Sequence, residues 1–454
     1  MRRFFCNILL ALLPLAINAR THTSHNDSIP PAAPCTLSSL IHLGLQNSYG
    51  LQIVRNEEKI AENNATRANA GYLPTVSLNA GYDANLNGGN SRTRSPQTTT
   101  RTRGVADLGF NAGISADWTV FDGFKIQANY ARLQELRKQS ATQTRIALED
   151  YVANLTAEYF NYVQQHIRLR NLNSSLTLSR ERLRIVLARY TLGSASRLDL
   201  QQAQVDFNAD SAQCLKQQEK LNTALIHLNE LLCIKDINTP LHITDTTITL
   251  YDDLVYDSLW QSTLSTNVTL LKAQHNKNLA QIDLKSVASR DYPYVKLNAN
   301  YGYTHNNITK GSIASRDNWG GNIGVTVGFK LFDGNRKRER RNAQINIENA
   351  ELAQAELRQA LNADLADLWQ AYQNNLRLLA LERENLKAAQ ENHSIAHERF
   401  MLGDLSGIQM REAQQSLLDA VERIREAEYS TKLCEISLMQ ISGQVMNYSL
   451  VSQD

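Results

Sequence analysis

The residues best placed to do chemistry in this chain are few and scattered. His393 and His397 stand four apart, so on a helix both imidazoles share one face, at a spacing that can hold a divalent metal. No third ligand accompanies them, and the matching positions about 210 residues earlier are Leu183 and Leu187. A packed or partly solvated seam fits both facts better, so no metal is expected. Glu149-Asp150 and Asp364/Asp367 lie within long helical stretches and read as polar helix faces rather than an acid–base pair. Cys35, Cys214, Cys233 and Cys434 show no CxxC or ligand spacing; helix-face thiols are expected, with one opportunistic disulfide as the alternative. The chain has no nucleophile elbow, phosphate loop or HExxH. No enzyme and no cofactor are therefore expected, and a net charge of +2 gives no reason to expect nucleic acid.

The elements that hold these residues explain more than the residues do. Met1-Arg2-Arg3, an apolar run from Phe4 to Ile17, and Ala19 form a signal peptide over 1–19. Residues 20–36 read as an extended arm; Cys35 follows Ala33-Pro34 without the leucine of a lipidation motif. Beyond the leader, no stretch approaches the roughly 20 apolar residues of a spanning helix.

The rest is written twice. A first repeat over 37–234 holds a helix, a β-hairpin at 74–121 and a long helix pair with its tip at 192–196. A segment at 235–257, with Pro240 and short Thr/Ile/Tyr runs, reads as a mixed equatorial belt outside the helical shaft. A second repeat over 258–442 has its hairpin at 293–332 and its tip at 402–406, and a tail follows at 443–454. The period is too long for a solenoid. Leu108, Phe110, Ala112, Ile114, Ala116, Trp118 and Val120 alternate with Gly, Asn, Ser, Asp and Thr, and Ile323 to Leu331 repeats the pattern. Such a strand spans about 40 Å, enough to cross a bilayer core at the usual tilt. No Gly or Pro occurs from Phe124 to Leu192 or from Asn335 to Leu402. Leu169, Leu172, Leu176, Ser179, Leu183, Val186 and Tyr190 step 3,4,3,4,3,4, the spacing of a coiled coil.

Four strands cannot close a membrane barrel, and open edges cannot face lipid. The fold class expected is therefore a mixed α+β membrane protein: a transmembrane β-barrel shared between chains, with a long coiled-coil tunnel below it. Strand count alone allows a dimer or larger, and a lumen wide enough for cargo favours three or more chains.

Tyr72-Leu73-Pro74, the turns Phe121-Asp122-Gly123 and Phe332-Asp333-Gly334, and the tips Arg189-Tyr190-x-x-Gly193-x-x-Ser196 and Arg399-Phe400-x-x-Gly403-x-x-Ser406 recur in fixed order. On these residues the chain resembles the TolC-like outer membrane efflux proteins over nearly all its mature length. The resemblance implies a homotrimer in the outer membrane, contacting its lipids, with a twelve-stranded barrel and a periplasmic α-helical tunnel. It further implies a periplasmic adaptor docked on the two tips and an inner-membrane RND, ABC or MFS transporter beneath. Acidic residues after the tip constrict the tunnel entrance in that family; the positions here are Gln409 and Glu412, with Asp199 as the first-tip counterpart. Gln409 departs from the aspartate pattern, and a ring with fewer carboxylates attracts cations less. The function implied is the exit duct of a tripartite efflux pump or type I secretion system. The alternative is a trimeric, barrel-anchored structural or adhesive surface protein, which predicts one terminal barrel segment rather than hairpins interleaved twice with helices.

Overall fold

The computed structural model describes residues 36–449, apart from 93, 95, 97, 98, 244, 246, 252, 253 and 310–312. The leader, Cys35 and the end of the tail lie outside the described residues, as do most side chains of the Arg-rich 92–103 segment. Helices α1 (Leu37–Asn47), α2 (Tyr49–Asn64) and α3 (Arg67–Ala70) precede strands β1 (Thr75–Arg92) and β2 (Thr99–Asp122). Helices α4 (Lys125–Thr191) and α5 (Arg197–Leu231) follow. The second copy runs α6 (Tyr256–Thr266), α7 (Val268–Ala288), β3 (Tyr294–Ile308), β4 (Ser315–Gly328), α8 (Arg336–Leu402) and α9 (Gly407–Ile441). Both long helices are 67 residues and both returning helices are 35, so each copy supplies a rod of about 100 Å and a shorter antiparallel partner.

The helical pattern over 37–70 is three helices, not one. Ser48 and Thr66 break it, because each turns its hydroxyl to the next helix as an N-cap, accepting from Leu51 N and Asn69 N.

The strands form one antiparallel sheet in the order β1-β2-β3-β4, so the two repeats meet at β2–β3. Register keeps like beside like. Val76 sits opposite Ala116, Leu78 opposite Ile114 and Tyr82 opposite Phe110. On the same face, Ile114 meets Tyr301, Tyr303 meets Trp319 and Val295 meets Val327. The other face pairs Ser77 with Ser115, Ser115 with Asn300 and Asn300 with Asn322. A bulge between Thr119 and Phe121 removes Val120 from the apolar row and puts Phe121 there instead. The second hairpin stops at Gly328, opposite the first residue of β3, so Phe329 to Phe332 run past the end of β3 and are not strand.

The largest core lies where the belt crosses the shaft. Val152, Leu155, Tyr159, Phe160, Val163 and Ile167 of α4 pack there with residues of α1, α5 and α9. The belt packs on the shaft there, contributing buried Leu241 and Ile248 to that core. Lys432 and Glu435 are buried in it as a pair 2.7 Å apart; Tyr448 donates to Glu435, and the Lys432 ammonium lies over Phe160, Tyr251 and Tyr448. Glu149 departs from the solvated face expected of it. It is buried on α4 with Arg145 donating at 2.8 Å, and burial holds its pKa above the usual carboxylate range despite that partner.

Candidate functional site

Each tip is built by the same two backbone devices. Gly193 and Gly403 follow their long helices with φ of +77° and +87°, a region where only glycine is unstrained. Gly193 N donates to Tyr190 O and Ser194 N to Arg189 O; Gly403 N donates to Phe400 O and Asp404 N to Arg399 O. These paired bonds are the Schellman ending of a helix. The return helices begin with capping boxes. Ser196 Oγ accepts from Asp199 N at 3.1 Å while Asp199 Oδ2 accepts from Ser196 N at 3.0 Å. Ser406 and Gln409 repeat this at 3.3 Å each way.

The tips are bolted together across the repeats. Arg189 Nη2 donates to Phe400 O at 2.6 Å, and its guanidinium lies 4.7 Å from the centre of the buried Phe400 ring. Arg399 pairs with Asp404 within its own tip at 2.8 Å. Val186, Ala203, Ala396, Met410 and Ala413 close a small apolar core beneath them. Leu192 and Leu402 are left 83% and 85% exposed, so each tip ends in a bare leucine beside a polar cap. Tyr190 is partly exposed. Asp199 and Gln409, expected at a constriction, each cap their own helix and remain exposed, as does Glu412 one turn farther along. The Ser196 hydrogen bonds hold the Asp199 carboxyl below its usual pKa.

Just above the tips lies a charged seam that pattern reading missed. Arg411 of α9 makes a bidentate pair with Asp210 of α5, at 2.6 and 2.7 Å. Ser179 of α4 donates to the same carboxylate, and Gln414 donates to Ser179 Oγ at 2.8 Å and to Ser175. Arg182, buried on α4, donates to Asp206 at 2.5 Å. Burial lowers the Arg182 pKa, Asp206 opposes that shift and the nearby Arg411 adds to it. The signal was present in the sequence: between Leu172 and Val186, Ser175, Ser179 and Arg182 form a second row stepping 3,4,3,4 beside the leucines. Leu172, Ser179 and Val186 of the expected stripe are buried, but Leu169, Leu176 and Leu183 are only half-buried, because the helix turns its polar row inward between α5 and α9.

His393 and His397 stack at 6.3 Å, nearly parallel. His393 Nε2 is buried without a hydrogen bond, and burial followed by the neighbouring His397 lowers its pKa. Among the described residues no three potential metal ligands gather anywhere. Cys214, Cys233 and Cys434 are free thiols. Cys233 does not lie on a helix face but follows α5 with φ of +54°.

The sheet completes the picture. Its apolar face is uncovered, with Leu78 79% and Ile323 80% exposed, while the opposite face carries Asn, Ser, Thr and Gly. A wall that is apolar outside and neutral-polar inside, open at both edges and continuous with long hollow-forming helices, defines a transmembrane duct assembled from several chains. The profile of the outer membrane efflux proteins matches residues 40–233 and 259–444, one match per repeat. The chain belongs to that family. It is 22% identical over 420 residues to the outer membrane efflux protein BepC of Brucella suis, covering 90% of this chain and 86% of the relative. It is 20% identical to the outer membrane protein TolC of Vibrio cholerae, covering 90% of each. Among solved structures it superposes on the outer membrane protein VceC of Vibrio cholerae with a TM-score of 0.71 at 18% identity, over 90% of this chain and 96% of that one. The Campylobacter jejuni CmeC outer membrane channel gives 0.73 at 16% identity, over 90% and 85%. The protein is thus an outer membrane efflux channel whose four strands join a barrel closed by trimerisation above a periplasmic helical tunnel.

Proposed function

We propose that this channel is the exit duct of a tripartite efflux pump or type I secretion system. It works as a homotrimer beneath which a periplasmic adaptor docks on the tips and an RND, ABC or MFS transporter supplies cargo. The observation that carries this reading is the pair of tips, Arg189 to Ser196 and Arg399 to Ser406. Each presents an exposed leucine at the far end of a rod of about 100 Å, the distance needed to meet a partner across the periplasm. An adhesive stalk has no use for two equivalent, apolar-tipped ends on the side away from the cell exterior. Glu412 is the carboxylate we place at the tunnel entrance. Asp199 and Gln409 flank it but are engaged by Ser196 and Ser406. Leu192→Asp/Leu402→Asp should sensitise a cell to toxic compounds as fully as deleting the gene, with the trimer still inserted in the outer membrane. Normal export by the double variant would rule out docking at the tips. Unchanged tolerance and secretion on deletion would rule out the duct.

A further inference from the structure

The two junctions between barrel and shaft differ where the rest of the duplication agrees. In the first, Asp122 accepts from Ile126 N at 3.0 Å and Phe124 packs edge-on against Phe121 and Tyr292. Gly123 is tucked so close that an added Cβ would lie 2.1 Å from Ser289 O. In the second, Leu331 and Phe332 are 90% and 89% exposed. Arg336, Lys337, Arg338, Arg340 and Arg341 then fill five of the first six positions of α8, with Glu339 between them. Cations are unfavourable at that end of a helix, where the aligned peptide dipoles already present positive charge. Nearby carboxylates answer part of the run: Asp291 holds Arg336 and Arg340 at 3.2 and 3.5 Å, and Glu339 holds Arg290. Arg338 reaches Glu339 only at 3.9 Å, and Lys330, Lys337 and Arg341 have no ion pair among the described residues. The surplus positive charge calls for an external anion.

Position says which. The outward row of β4, through Ile323, Val325 and Val327, continues in the same parity to Phe329 and Leu331. The basic run therefore begins where the lipid-facing wall ends on the periplasmic side, beside bare apolar side chains. We propose that this junction is a binding site for anionic phospholipid of the periplasmic leaflet. Phe329 and Leu331 reach the acyl boundary, and Lys337, Arg338 and Arg341 hold the headgroup phosphodiester. The first junction, with Lys125 alone, does not share the role.

The test uses the intact trimer, exchanged into mixed micelles of equal phosphatidylglycerol and phosphatidylcholine, with retained lipid quantified by mass spectrometry. Each cation at an anionic lipid surface contributes about fivefold, so phosphatidylglycerol should be enriched at least about fivefold on the wild type. Lys337→Gln/Arg338→Gln/Arg341→Gln should bring the ratio close to one. The charge-preserving Lys337→Arg/Arg338→Lys/Arg341→Lys should keep it, as should Arg383→Gln/Lys387→Gln, which removes two exposed mid-shaft cations. No enrichment on the wild type would overturn the proposal, as would an equal loss in the mid-shaft variant. Retention of lipopolysaccharide instead of phospholipid would also overturn it. So would dissolution of the trimer by the Gln variant without any lipid preference in the wild type, which would assign the cations to carboxylates of a second copy.

Discussion

The equatorial and tip ends of the shaft are crossed by the same helix, α4, yet its inward row changes chemistry between them. Around the belt its buried positions are mostly apolar, Val152, Leu155, Tyr159, Val163 and Ile167 among them, with Thr156 and Gln164 as polar exceptions. Toward the tip, between buried Leu172 and Val186, they are Ser175, Ser179 and Arg182, set against Asp206, Asp210, Arg411 and Gln414. Apolar burial is non-directional and tolerates small sliding. A buried carboxylate shared by an arginine and a serine is satisfied in one register only, and is costly in any other. The collar that the belt forms around the shaft at the equator therefore tolerates small adjustments of packing. The tip is the end where one set of helix positions is strongly specified and another must be reached by exchanging ion pairs together.

Breaking that contrast should be most visible at Asp210. Asp210→Ala strands Arg411, and removing one partner of a buried pair costs about 3–5 kcal/mol. Asp210→Leu/Arg411→Met should recover most of the loss, because an apolar pair of similar size is often neutral. The check is thermal unfolding of the detergent-solubilised trimer, with amide exchange locating the change at the tip. A loss under about 1 kcal/mol would mean the seam is solvated and the contrast false. At the collar, Leu155→Ala should cost about 2–5 kcal/mol through its cavity. No single second polar substitution should rescue it, since the contacts that Leu155 loses are apolar and non-directional.

The division between the two ends also marks what could be read from sequence. Hairpins, helix lengths and tips were legible because they rest on local signals: period-2 alternation, uninterrupted helix formers, and Gly followed three residues later by Ser. The polar seam was not, since Asp210 and Arg411 lie 201 residues apart and each looks like a solvated helix charge on its own strand of pattern. Glu149 was misread for the same reason: its burial depends on neighbours that helical periodicity does not name. Asp199 and Gln409 were read as residues of a constriction, and their capping bonds become visible only when the serine three residues earlier is treated as a partner.

A smaller effect sharpens the collar. Helix α5 ends in Cys233 with φ of +54°, where α9 has Gly443 with φ of +69°. Both make the same paired bonds, Ile234 N to Asn229 O and Gln444 N to Met439 O. Left-handed backbone is disfavoured for a residue with a Cβ, and glycine recovers that cost less its own greater unfolded-state entropy. Cys233→Gly should therefore stabilise the collar by about 0.5–1 kcal/mol, read as a rise in Tm. The reverse change, Gly443→Cys, should lower it by more, because the new Cβ would lie 2.7 Å from Thr266 Oγ1. Equal and opposite shifts would show that conformation alone, without that contact, sets the difference.

The smallest effect separates the two tips from each other. Asp199 and Gln409 make the same capping box, but only the first can titrate. The Ser196 hydrogen bonds depress the folded pKa of Asp199, so its contribution is fully present above the unfolded carboxyl value, near pH 4, and is lost as pH falls through the folded one. On acidification from pH 5 toward pH 2.5, the amides at the start of α5 should lose protection relative to those at the start of α9, after correction for intrinsic exchange. Asp199→Asn should abolish the difference, and Gln409→Glu should create it in the second tip. If both tips loosen together in the wild type, the difference between the caps does not set how the tips respond to acid.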